Sequence, residues 1–468
     1  MSPVSNRKVG TASALVVAVA ASSLTFFAVQ SRGETVHEAD LNDGGVWVSS
    51  AANASFARVN KAVSQFDAGV KATTTSESPL DVLQDGSAVA GLTVATNQVL
   101  PIDPRTGRLD EAGAVAYPAP STGTNLETFV PRTIDLRGGT IAMVDPKTGK
   151  VWAHRVDPRA GIEGLEGLSV GAKPLAEVGP VATVTVDVFG GVHAISAATG
   201  KAVSLRATTT AFEKPVAQKT SLRSKAVDLT AVGDRWVAYD PAHDEVFARG
   251  LDKPVNAGIS SAEGELAYAA LQQPGPATED VAVQGPDRVA LVGLGEGGPT
   301  QGGVEVSEVE SADGAENRLM VSRPLRLGPC LHAAWAGASE VHYNVNCGRE
   351  EPARTVTIER TGASALREGV ALRTNRRLVV LNDLDGGEVW DLDSKPVKID
   401  EWDALIPPPQ REDKNKKKEK NLIDEASTAQ PPKAEPDDLK ARPGRTSKLH
   451  VLDKRHRRLG VDPVHRPR

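Results

Sequence analysis

The chain has 468 residues, 40% hydrophobic but only 4% aromatic, with 43 glycines, 31 prolines and a formal net charge of −6. That balance gives no electrostatic reason to expect a nucleic-acid partner. Two cysteines exclude a disulfide-dense scaffold and leave at most two thiolates for any zinc site.

Arg7 and Lys8 precede an uncharged run from Val9 to Val29, long enough to cross a bilayer. The acidic Glu34, Glu38, Asp40 and Asp43 follow. This asymmetry predicts a cytoplasmic segment 1–8, a transmembrane signal-anchor over 9–30 and an extracytoplasmic remainder, in a single-pass protein of the cell membrane. Cleavage is disfavoured, because Ala28-Val29-Gln30 puts glutamine where a small residue is wanted.

Beyond the anchor one phrase recurs. Asp103-Pro-Arg-Thr-Gly107, Asp145-Pro-Lys-Thr-Gly149, Ser196-Ala-Ala-Thr-Gly200 and Asp240-Pro-Ala-His-Asp244 are spaced by 42, 51 and 44 residues, and Asp383-Leu-Asp-Gly-Gly387 follows 143 residues after Asp240. Aspartate and serine open tight turns by accepting backbone N–H groups, and glycine supplies the positive φ that closes them. Around each copy run short strands of small apolar residues, such as Thr140–Val144 and Val184–Phe189, without helical periodicity. The last gap fits three steps of about 48 residues, placing degenerate copies at Asp287–Val292 and at Ala333–Gly337 with Val341–Val345. The fold expected is all-β, a seven- or eight-bladed β-propeller over residues 31–406. The count depends on whether residues 44–60 form a blade or lend a strand to the last one.

The pattern stops near Trp402, where Pro407 to Pro409 cannot donate ladder hydrogen bonds. Residues 407–440, with the mixed-charge run Arg411 to Lys420, read as a solvated linker.

Cys330 and Cys347 flank a hairpin that would bring them together, and an extracytoplasmic disulfide is the expected outcome. The alternative is a metal site from Cys330, His332, His342 and Cys347, whose spacing matches no common zinc motif. Asp383, Asp385, Asp391 and Asp393 could take calcium, although turn-capping is the commoner role. Gly293–Gly298 lacks the Lys-Ser/Thr of a phosphate loop. With no Gly-x-Ser-x-Gly elbow and nine histidines that show no recurring acidic partner, no catalytic, cofactor-binding or metal residue is expected.

The Asp145–Trp152 phrase resembles the repeats of quinoprotein-like propellers, without their regular tryptophans or any haem-attachment motif. Glu38–Trp47, Cys330–Gly337, Val389–Ser394 and Trp402–Pro409 are similar to the N-terminal part of large actinobacterial cell-surface proteins with tandem bacterial Ig-like or fibronectin type III modules. That resemblance implies an anchor, a propeller, a linker and a rod of β-sandwiches. Ala441–Asp453 resembles the opening of such a module, but a basic stretch follows. Removing one base from a permitted back-translation of Lys454 restores a module-like continuation, so residues 441–468 are expected to be an aborted, disordered module start produced by a frame shift. The function expected is a non-catalytic interaction or adhesion platform of the cell envelope, binding an envelope protein or polysaccharide without a cofactor. The alternative is a propeller enzyme, either a carbohydrate hydrolase or lyase or a quinone-dependent dehydrogenase. An enzyme should gather polar side chains at one mouth of the central channel, whereas a scaffold should show a plugged one.

Overall fold

The computed structural model describes residues 45–405 except 73–77, 120–131, 163, 166, 260–268, 287, 296–319, 338, 349–352, 362–368 and 394. The expected anchor, linker and aborted module lie outside these residues. Among the described residues no helix is long and apolar enough to cross a membrane.

The recurring phrase folds by its own chemistry. Asp145 accepts the Lys147 N–H at 3.0 Å through one carboxylate oxygen and the Thr148 hydroxyl at 2.6 Å through the other, while the Gly149 N–H returns to the Asp145 carbonyl at 2.7 Å. Gly149 sits at φ 75°, and a Cβ there would collide with the backbone of Gly179. In blade 5 the equivalent left-handed position is filled by Asp244 at φ 56°, where aspartate tolerates what glycine takes freely.

These turns join strands into eight antiparallel sheets, spanning 45–71, 80–116, 134–177, 182–219, 228–256, 270–293, 320–359 and 370–399. Every sheet is built from consecutive strands. The blade count is therefore eight, because residues 45–71 make a three-stranded sheet of their own. One equivalence implied by sequence spacing fails. The Asp145, Ser196, Asp240 and Asp383 turns link the second and third strands of their blades, whereas Asp103 links the third and fourth strands of blade 2. The same local chemistry serves any tight turn, so the 42-residue interval joined non-equivalent places.

Blades pack face to face. Eight separate apolar clusters lie one between each successive pair, from Trp47, Phe56, Leu80 and Ile102 between blades 1 and 2 to Leu372, Trp390, Tyr343 and Leu325 between blades 7 and 8. Strands such as Ala182–Val186 are buried along their whole length because both faces meet a neighbour. This is why apolar and polar residues do not alternate cleanly there.

The eighth cluster closes the ring. Val46, Val48 and Val59 of blade 1 meet Val380, Val389 and Ile399 of blade 8, together with Trp402. Asn382 accepts the Ser49 N–H at 3.0 Å and donates to the Ser49 carbonyl at 2.9 Å. Among the described residues no strand is exchanged across this joint. A one-turn helix, Trp402–Leu405, completes it from outside by packing on the outer strand of blade 1, Gln65–Lys71. A Cβ on Gly69 would lie 3.1 Å from Leu405, so the glycine is the space the helix uses.

Candidate functional site

The first strand of each blade faces the axis, and polar side chains there bond across it. Arg373 of blade 8 pairs with Asp81 of blade 2, and Arg323 of blade 7 with Asp228 of blade 5, each pair skipping a blade. Asp135 of blade 3 accepts Arg132 at 2.8 Å, then the Thr185 hydroxyl at 3.0 Å and the Val186 N–H at 2.9 Å from blade 4. Burial lowers the Arg323 pKa well below the usual guanidinium range, and nearby Arg132 adds to this while Asp135 opposes it.

The segment 272–275, which follows the short inner strand Ala270–Leu271 of blade 6, reaches into the axial space. The Gln273 N–H donates to the Pro324 carbonyl at 2.7 Å, and its side chain donates to the Leu372 carbonyl at 2.8 Å. Arg137 of blade 3 reaches the Pro274 carbonyl at 3.1 Å, and Gly275 pairs with Ala231 and Gly233 of blade 5. One four-residue segment thus bonds to four blades. The inner carboxylates Asp81, Asp135 and Asp228 are matched by arginine or by backbone N–H groups.

A cleft of about 560 Å³ opens instead on the side of blades 4 and 5 that carries the turns between first and second strands. Strand register places Thr185, His193 and Ser204 in one cross-strand row. His193 Nε2 lies 2.9 Å from Asp187 Oδ2 and its Nδ1 lies 2.9 Å from Ser204 Oγ. The other Asp187 oxygen accepts the N–H groups of Phe189 and Gly191, both at 2.8 Å. A carboxylate only accepts, so the imidazole proton sits on Nε2, and Nδ1 is left to accept from the serine hydroxyl. His193 and Asp187 are buried, Ser204 is half-buried and lines the cleft, and Phe189 stands 68% exposed at its rim. Arg249 bonds to Asp234 at 2.8 Å on the far wall and holds that carboxyl below its usual range.

Three histidines have acidic partners, although at no recurring spacing. His243 Nδ1 lies 2.6 Å from Asp240, whose bond raises the imidazole pKa, and His342 Nε2 lies 2.9 Å from Glu340. The partners are two, three and six residues away in sequence, so no single spacing announces them. For His193 the signal was the Asp187-Val-Phe-Gly-Gly191 turn, which returns the chain so that residue 193 pairs with Thr185 and its ring reaches the Asp187 carboxylate.

Cys330 and Cys347 are joined as a disulfide at the open end of the ladder between Cys330–Ala336 and Glu340–Asn346. The metal alternative does not assemble. His332 faces Val345, and His342 faces Trp335. Three positions separate these rows, so the two imidazoles point to opposite faces of the sheet. His332 bonds through Nδ1 to the Tyr343 hydroxyl at 2.7 Å, and burial, helped by the charges of Lys61 and Arg354, pushes its pKa down to about 4. The calcium alternative meets cations already in place. Asp383 receives Arg360 through Nε at 2.9 Å and Nη2 at 2.7 Å, and Asp391 receives Lys61 at 2.8 Å. Among the described residues no three or more His, Cys, Asp or Glu side chains are grouped to hold a metal. The loop Gly293–Gly298 falls partly outside the described residues.

No protein-family model and no curated protein sequence matches the chain. Among solved structures, it is similar to the β-propeller domain of the Trilobed protease from Pyrococcus furiosus, with 10% identity and a TM-score of 0.40 over 69% of this chain and 97% of that one. A dihydro-heme d1 dehydrogenase aligns with 11% identity and a TM-score of 0.46 over 76% and 72%. The periplasmic gluconolactonase of Pseudomonas aeruginosa gives 15%, 0.38, 68% and 93%. Likeness this distant says nothing about activity, and the assignment of an eight-bladed β-propeller rests on the eight sheets and the eight clusters between them.

Proposed function

We propose that the protein is a membrane-anchored, extracytoplasmic propeller that serves as an interaction platform of the cell envelope. It would hold an envelope protein or polysaccharide on its outer surfaces rather than a substrate in its axis. The observation that supports this reading is the segment 272–275, which bonds to four blades inside the axial space, next to inner carboxylates that are already paired. The uncharged run Val9–Val29, with its basic flank, supports the location. The resemblance of Ala441–Asp453 to the opening of a bacterial Ig-like module supports the further proposal that this is a truncated surface protein of the kind that carries fibronectin type III or Ig-like modules.

Fractionation of cells producing the full chain, followed by crosslinking and isolation from the membrane, tests the proposal. The chain is expected in the membrane fraction, protected on its cytoplasmic side only, with an envelope polymer or protein attached. Recovery in the cytosol, or isolation from the membrane with no envelope component attached, overturns it. Resequencing the gene across Asp453 tests the frame shift separately.

A further inference from the structure

We propose that Asp187, His193 and Ser204 form a general-base-activated serine and that the cleft beside them takes small carboxylic esters. The geometry has the three parts such a reaction needs. Ser204 Oγ lies 2.9 Å from an imidazole nitrogen whose tautomer is fixed by a carboxylate 2.9 Å from the other nitrogen. Two backbone N–H groups anchor that carboxylate, so it cannot turn away. The serine is the half-buried member of the three and lines a cleft of about 560 Å³, whose wall also includes the buried Asp187 and His193. Ring placement is reversed relative to the usual arrangement, with serine on Nδ1 and carboxylate on Nε2. Proton transfer requires only that the base nitrogen be unprotonated and in reach, and both conditions hold here.

In the reaction, Ser204 Oγ attacks the ester carbonyl carbon as its proton passes to His193 Nδ1. Asp187 stabilises the imidazolium. Collapse of the tetrahedral intermediate breaks the bond to the leaving alkoxide, which takes the proton from Nδ1 and departs as alcohol. Water then repeats the sequence on the acyl-serine, releasing the carboxylic acid and returning the proton to Ser204. One ester and one water give one acid and one alcohol. Arg206, which lines the cleft two residues after Ser204, supplies positive charge for the oxyanion.

The same hydrogen bonds could serve only to brace the blade, so the test reads chemistry and not stability. The full chain, purified in detergent, is given p-nitrophenyl acetate and separately a fluorophosphonate probe. The expected result is ester hydrolysis above the buffer rate, with the probe attached to the peptide containing Ser204. S204A should abolish both signals, and H193A should lower the rate by about 100-fold or more. Labelling of the unmutated chain does not depend on whether the variants fold. Folded protein that neither hydrolyses the ester nor carries label on Ser204 overturns the proposal, as does hydrolysis that S204A leaves unchanged.

Discussion

The indole of Trp402 lies against the ring of Phe66, with centroids 4.7 Å apart and planes tilted by 52°. These two residues sit near opposite ends of the described chain. Trp402 also donates through Nε1 to the Gly387 carbonyl at 2.7 Å, so one side chain joins blade 8 to the outside of blade 1. Among the described residues the closing joint has no exchanged strand, and this contact caps it.

Trp402→Ala should therefore cost about 3 to 5 kcal/mol, as for other buried tryptophans. The loss should be polar in the ring, with blade 1 opening before blades 3 to 5. Hydrogen exchange would show this as early loss of protection in Gly45–Ser50 and Ser55–Asn60. Uniform loss around the ring would show that the helix is not a clasp.

Arg360 and Asp383 are both wholly buried at their side chains and meet through two hydrogen bonds. Burial works against the charge of Arg360, but the bonds to Asp383 outweigh it and raise its pKa. Arg360→Met leaves a buried carboxylate without its partner and should destabilise by about 3 to 5 kcal/mol. Arg360→Lys keeps the charge but loses the planar two-pronged geometry, and should fall between the two in urea melts.

The blade phrase divides into a strong and a weak element. Gly149→Ala forces a Cβ onto the Gly179 backbone at φ 75° and should cost more than about 1 kcal/mol. Asp145→Ala removes half-exposed caps, worth about 1 kcal/mol or less. Thermal melts of the two variants should rank in that order.

His332 has a folded pKa near 4, below its ordinary value of 6.5. Between those pH values the unfolded chain binds a proton that the folded chain does not. Stability should therefore fall as pH drops from 6.5 towards 4, by on the order of 2 kcal/mol once partial exposure is allowed for. Denaturant titrations of His332→Phe across this window should show a flatter pH dependence than the parent chain.

The bridge between Cys330 and Cys347 closes a loop 17 residues apart in sequence. Reduction should lower stability by about 3 kcal/mol on the chain-entropy estimate. The check is a non-reducing peptide map, in which a linked Cys330–Cys347 pair should appear, followed by melts with and without reductant.

Much of the architecture was legible because turn chemistry is local. An aspartate that accepts the N–H two residues on, and a glycine at positive φ four residues on, can be read from five letters, and they marked blades 3 and 8 correctly. The same locality misled at Asp103, since nothing within five residues says which pair of strands a turn joins. The cleft on blade 4 was illegible for a related reason. His193 faces Asp187 and Ser204 only once the strand register is set, and register follows from which faces are buried against the neighbouring blades.

The sequence by itself determined that this chain is built from short strands and tight turns at a blade-like spacing, because strand propensity and turn capping are settled within a few residues. Only the tertiary structure decided that there are eight blades, that Trp402 and Phe66 close the ring, that the segment 272–275 enters the axis, and that His193 bonds to both Asp187 and Ser204. Each of these depends on contacts between residues far apart in the chain, whose free energy comes from excluding water between packed blades and is not written in any local stretch.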